Sequence, residues 1–228
     1  MIDIIKWPSF TAINLETYPR RHTYEHFLDY EIPFTSRTTQ LDITNLKNYI
    51  QNINLKFSLV FSFLLTRATN HVPELRHRIQ DDILVEFDKI IPSFTVLSKE
   101  KVIYFSKGTY TDNFQHDYNH NYLVNEEASK GFNHIHGPES QGQIFITNIP
   151  WYSFTSIQHP YSRKNASIPI FSIGKIYEEN GRTKVPLGIQ SHHSIIDGYH
   201  ISCFLDILIK HLDEPELISL PYQHPLDD

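Results

Sequence analysis

The chain has 228 residues, about one and a half nominal domains, so a single domain with a substantial core is expected. Its 20 basic and 26 acidic residues leave a formal charge of −6, which argues against a broad nucleic-acid surface. One cysteine excludes an internal disulfide and a cysteine-built metal site, whereas 14 histidines stand out.

The N-terminus MIDIIKWPSF lacks a basic region followed by an apolar one, so no secretion signal is expected. The most apolar run, Leu59–Leu65, falls far short of the ~20 residues that span a bilayer. Together with the lone thiol, this predicts a cytoplasmic protein without a membrane segment.

In chain order, Tyr18 to Tyr30 reads as a helix, with Pro19 in its first turn and Pro33 beyond its end. Thr35–Ile43 reads as a strand, followed by a helix from Asp42-Ile-Thr to about Ile53. Phe57–Asn70 is apolar nearly all round, which suits a buried helix. Ile83–Ile90 and Ser93–Ser98 read as strands, Thr111–Ala128 as a polar helix with spaced aromatics, and Gly131–Gly142 as a loop. Strands are expected at Ile144–Ile149, Ser153–Ile157, Pro169–Glu179 and Thr183–His193, the last two joined by a hairpin with Asn180-Gly181 at its tip. An amphipathic helix from Gly198 to about Leu212 closes the domain, and residues 213–228 read as a tail. Helices mixed with antiparallel hairpins predict an α+β fold.

The segment Ser191-His-His-Ser-Ile-Ile-Asp-Gly-Tyr-His200 lies where a strand gives way to a helix. Functional groups are commonly placed there, because the strand fixes them while the loop opens to ligand. Gly198 permits a tight entry into the helix, and Asp197 suits its N-terminus. Spacing alone leaves four readings open: a satisfied structural histidine pair, a zinc site from His192, His193 and His200, a Ser-His-Asp hydrolase, or a histidine general base. Adjacent strand residues point to opposite faces, which weighs against the zinc site. The absence of a G-x-S-x-G nucleophile weighs against the hydrolase.

HHSIIDGYH resembles the HHxxxDGxH signature of chloramphenicol acetyltransferases. The related HxxxDG pattern also marks dihydrolipoamide acyltransferases and peptide-synthetase condensation domains. PWYSFTS from Pro150 is similar to the family's PWxxFxSF segment, FSIGKIY to its TxGKxY strand, and VPLGIQSHH to its xPLxxQxHH strand. TYPRRHTYEHF resembles its WxRxxxFEHY helix, and LDITNLK, KFSLVFSFLL, PELRHRI and SFTV continue in order. The resemblance runs from about Tyr18 to Leu212.

It implies a two-layer sandwich with helices packed on a mixed, largely antiparallel sheet. It also implies a homotrimer with active sites at subunit interfaces, and direct acetyl transfer from acetyl-CoA to a hydroxyl of chloramphenicol or a similar small acceptor, with no metal. By position, His193 would be the general base, Asp197 and Arg20 the pair that holds its loop, and Lys56 and Lys175 the partners of CoA's phosphates. Thr147 stands where the family commonly has the serine that hydrogen-bonds the oxyanion; a threonine hydroxyl can make the same bond with a narrower choice of rotamers. Ser172 replaces a usual threonine. Phe27, Tyr104, Ile157, His159 and Tyr161 fall where the acceptor wall is expected, several of them in place of more apolar residues. That rewritten wall leaves open a different hydroxyl acceptor, or a module that sequesters a drug with weak catalysis.

Overall fold

The computed structural model describes residues 7–132, 141–160 and 162–221. Its organising element is β10 (Arg182–His192), buried along almost its whole length, which requires cover on both faces. It lies between β2 (Phe34–Asp42) and β8 (Ile170–Ile173), antiparallel to both. β7 (Gln143–Asn148) pairs in parallel with β8 and with β5 (Ile91–Leu97), and β6 (Ile103–Lys107) closes the far edge antiparallel to β5. With β9 (Tyr177–Glu179) hairpinned onto β10, the described residues form a seven-stranded mixed sheet in the order β2-β10-β8-β7-β5-β6. A smaller sheet joins β1 (Phe10–Ala12), β4 (Ile83–Phe87) and β3 (His77–Gln80).

The helices are α1 (Arg21–Leu28), α2 (Thr44–Asn52), α3 (Phe57–Asn70), α4 (Phe114–Ser129) and α5 (Gly198–Asp213). Every residue of α3 from Leu59 to Thr69 is buried, as its all-round apolar character predicts. One face of the sheet, through Phe94, Ile146, Phe171 and Leu187, packs against Phe61, Leu65 and Phe204 of the helices in a single apolar cluster. The Phe171 and Phe204 rings stack there at 5.2 Å. Helices over one sheet face make the expected α+β two-layer sandwich.

The elements differ from the sequence reading at identifiable places. Ser153–Ile157 is irregular, not a strand. It crosses the second sheet face, where Phe154 and Ile157 sit over Gly174 and Gly188 at distances that leave no room for a Cβ. Its alternation serves coverage, and the glycines permit the close approach. Pro169–Glu179 is broken into β8 and β9, because Pro186 of β10 has no N–H with which to continue the ladder past Ile173. The Asn180-Gly181 turn has φ of 52° and 75°, as a tight hairpin requires. The expected tail is partly structured: Pro215–Ser219 forms a 3-10 turn that buries Ile218 in the core. The short strands β1 and β3, and β6, lay below the alternation that sequence can reveal. Tyr161, most of the Gly131–Gly142 loop and the end of the tail lie outside the described residues.

Candidate active site

β10 delivers the histidine pair and then turns sharply. The His193 N–H donates to the Pro33 carbonyl at 2.7 Å, tying the strand end to the start of β2. Ile195 and Ile196, both fully buried, anchor the turn from below. His192 points into the protein, 2.7 Å from the Ser194 hydroxyl; burial, with the neighbouring His193 charge, pushes its pKa down to about 4. His193 emerges half-buried on the other side, its ring 4.2 Å from that of Phe27. Its Nδ1 lies 3.3 Å from the Ile196 carbonyl. A carbonyl can only accept, so Nδ1 carries the proton and Nε2 keeps its lone pair. That is the tautomer a general base needs.

The loop is braced from beneath. Asp197 caps α5, its Oδ1 accepting from the Tyr199 N–H at 2.9 Å, and its Oδ2 meets Arg20 Nη2 at 3.0 Å. Arg20 Nη1 also donates to the Ile195 carbonyl, so one guanidinium holds both ends of the turn. Burial pushes the Asp197 carboxyl up, but His200 and Arg20 outweigh it and hold the pKa below the ordinary value. The Asp197 N–H donates to His200 Nδ1 at 3.2 Å, leaving Nε2 to face Glu74 at 3.6 Å. Glu74 and His200 lie in quoted motif segments, but the motif reading gave neither a part in this brace.

A second group of side chains occupies the open face of the sheet. Thr147 and Ser172 are neighbours across β7 and β8, and Ser172 is level with Gly188 on β10. Thr95 donates to the Thr147 hydroxyl at 2.8 Å. His159 Nε2 lies 2.6 Å from the buried Ser172 hydroxyl, its backbone N–H donates to Gln190 Oε1 at 2.8 Å, and burial lowers its pKa. Ile157 covers Gly188 beside them.

These residues and His193 are far apart within one chain. Five residues from Gly188 to His193 span roughly 17 Å along the strand, and two strand spacings add roughly 10 Å across. One chain therefore does not bring the Thr147 hydroxyl and the His193 ring together.

Tyr104 does not lie beside Thr147. Its hydroxyl approaches Gly131, and Ser106, two residues on, bonds Asn125 of α4, so both face the helices. Phe105, paired opposite Thr95, points the other way and is half exposed. Strand parity places Phe105, one position on from the expected residue, on the open face.

Lys56, the N-cap of α3, sits 4.3 Å over the Tyr122 ring and pairs with Glu126 at 2.9 Å. A cleft of about 220 Å³ runs from Lys56 and Glu126 to Thr95 and Asn148, next to Thr147. Lys175 is exposed at the break after β8, its N–H bonded to the Tyr152 carbonyl at 3.1 Å. A second cavity, of about 200 Å³, opens on the same sheet face between Phe34, Phe145, Ile170 and Gln190.

The family model for chloramphenicol acetyltransferase matches residues 8–209. The chain belongs to the chloramphenicol acetyltransferase family. A chloramphenicol acetyltransferase of Bacillus pumilus is 34% identical over 205 residues, 87% of this chain and 93% of that one. One from Escherichia coli is 30% identical over 213 residues, 92% and 96% of the two chains. A solved chloramphenicol acetyltransferase superposes with a TM-score of 0.79 at 22% identity, over 90% of this chain and all of that one. The truncated catalytic core of a 2-oxoacid dehydrogenase multienzyme complex from Thermoplasma acidophilum shares the fold, with a TM-score of 0.64 at 15% identity.

As a member of the chloramphenicol acetyltransferase family, the protein is an acyltransferase. Glu126, Phe34 and Phe145 escaped the motif reading, and Thr95 and Gln190, inside the quoted SFTV and VPLGIQSHH segments, received no role there, although a signal for some of them existed. Phe145 and Ile170 stand two residues before Thr147 and Ser172, and strand periodicity alone puts them on the same face.

Proposed function

We propose that the chain transfers the acetyl group of acetyl-CoA to a hydroxyl of chloramphenicol or a compound of similar shape. The observation that carries this reading is His193, with Nδ1 tied to Ile196 and Nε2 free to take a proton. Nε2 removes the acceptor's hydroxyl proton as its oxygen bonds to the thioester carbonyl carbon. The carbonyl electron pair moves onto oxygen, where the Thr147 hydroxyl donates to it. The oxyanion then collapses, the carbon–sulfur bond breaks, and the imidazolium returns its proton to the departing sulfur. Thr95 donates to Thr147 Oγ1, which leaves that hydroxyl's own hydrogen for the oxyanion. Arg20 and Asp197 act through the loop they hold and never touch the reacting atoms.

The cleft beginning at Lys56 and ending beside Thr147 suits a long thioester with an anionic far end, and Lys175 adds a second cation for phosphate. The cavity beside Phe34 and Phe145 suits an apolar acceptor. The separation of Thr147 from His193 supports a homotrimer in which each site takes its base from one copy and its oxyanion donor from the next. The continuous core from Tyr24 to Ile218 supports one acetyltransferase domain. No described helix is long and apolar enough to cross a membrane, and a CoA-dependent reaction fits the cytoplasm.

The test is thiol release from acetyl-CoA with chloramphenicol and a panel of other alcohols. Release that depends on both substrates is expected. Acceptor binding without any release would instead leave a sequestering module.

A further inference from the structure

We propose that Gln190 selects acceptors bearing an oxygen substituent on an aromatic ring, such as nitro or sulfonyl, by donating one directed N–H bond from the wall of the acceptor cavity. This rests on the acceptor reading of that cavity. Gln190 is 8% exposed and lines the space of about 200 Å³ with Phe34, Phe145, Ile168 and Ile170. Ser162 and Asn165 also line it, but both stand exposed at its rim. Gln190 is therefore the polar side chain buried in the wall.

The orientation of its amide follows from its partners. The backbone N–H of His159 approaches one end at 2.8 Å, and a backbone N–H can only donate, so that end is Oε1. The Ser36 hydroxyl donates to the same oxygen at 3.3 Å. With Oε1 held twice, the planar amide has its NH₂ on the other branch, and no described residue hydrogen-bonds to Nε2. His159 does not compete for the ligand through Nε2, which is engaged with Ser172 at 2.6 Å. The Nε2 hydrogens therefore have no partner among the described residues, and a ligand oxygen seated in the cavity supplies one. The aromatic walls accept a flat ring, and the amide accepts an oxygen at its edge. The 4-nitrophenyl end of chloramphenicol belongs to this class, and a sulfonyl analogue satisfies it equally.

The experiment compares chloramphenicol, its methylsulfonyl analogue and the unsubstituted phenyl analogue, by turnover and by equilibrium binding to the intact protein. In the native chain the two oxygen-bearing acceptors are expected to have KM and Kd values about 10-fold below the phenyl compound, the worth of one well-made buried hydrogen bond. Gln190→Glu keeps an oxygen for His159 and Ser36 but removes the donor. It should collapse the ratio of the nitro and phenyl KM values to about one, with the KM for acetyl-CoA held. Equal affinity of all three compounds in the native chain overturns the proposal without any variant. So does a Gln190→Glu protein that keeps the 10-fold ratio. Binding selectivity without acetyl transfer would sink the reaction and leave Gln190 standing. Transfer without selectivity would do the reverse.

Discussion

Replacing Asp197 with asparagine separates the two jobs of that carboxylate. Asparagine is as good an N-cap as aspartate, so the bond from the Tyr199 N–H survives while the charge facing Arg20 disappears. Exposed ion pairs are worth about 0.2–1 kcal/mol, whereas breaking a buried one costs about 3–5. The Arg20 and Asp197 side chains are 16% and 34% exposed. A value between these limits follows, about 1–2 kcal/mol, because a third of the carboxylate stays in water. For a chain of this size that lowers Tm by about 2–8 °C. Asp197→Ala also removes the cap and should cost about 1 kcal/mol more. The assay is thermal unfolding at fixed protein concentration, so that any effect of self-association on Tm is held constant.

pH supplies a second dimension. The folded pKa of Asp197 lies below its ordinary value. Its contribution is therefore complete above about pH 4 and fades as pH falls through the folded pKa. The gap between native and Asp197→Asn proteins should close in that acidic window. An asparagine variant as stable as the native chain at pH 7, or a gap that does not change with acid, would refute the reasoning.

His193→Ala should lower kcat by about 10²–10⁴ or more with the fold intact by circular dichroism; retained turnover would move the base elsewhere. Glu126→Gln releases Lys56 from its ion pair and should lower the KM for acetyl-CoA a few-fold, most clearly at low salt, whereas Lys56→Ala should raise it. Gly188→Ala would place a methyl group into Ile157 and against the Ser172 Cβ at 3.3 Å; we expect about 1–3 kcal/mol of destabilisation in urea and a higher KM for the acceptor. His77 and His192, both buried with pKa near 4, are uncharged in the folded state over a range where the unfolded chain binds protons. Stability is then complete above about pH 6.5 and falls toward pH 4 by about 1.4 kcal/mol per pH unit for each, and denaturant titrations between pH 7 and 5 measure the slope.

Periodicity was enough to locate the long elements. The buried helix α3, the hairpin at Asn180-Gly181 and the strand that carries the histidines follow from local pattern, because burial and turn chemistry act over a few residues. Ser153–Ile157 misled because alternation reports a two-sided environment, not a hydrogen-bond ladder. Here the two sides are solvent and the glycine-lined sheet. The loop around His193 was legible because a contiguous motif encodes it. The open-face site was less so, since Thr95, Gln190 and Phe145 come from three strands whose order no single-sequence pattern discloses. Tyr104 was misplaced by one position, and one position on a strand is a change of face.

If each site takes its base from one copy and its oxyanion donor from the next, as proposed, activity becomes a property of neighbours. On that arrangement a chain lacking His193 and a chain lacking the Thr147 hydroxyl should each be inactive alone, yet each carries the half that the other has lost. Unfolded together and reassembled in equal amounts, they should recover working junctions at about a quarter of the interfaces, because a random ring sets an intact base beside an intact donor that often. On the proposed arrangement a gene damaged at either end of the site would be rescued by a differently damaged copy, and a chain damaged at both ends would poison the assemblies it enters.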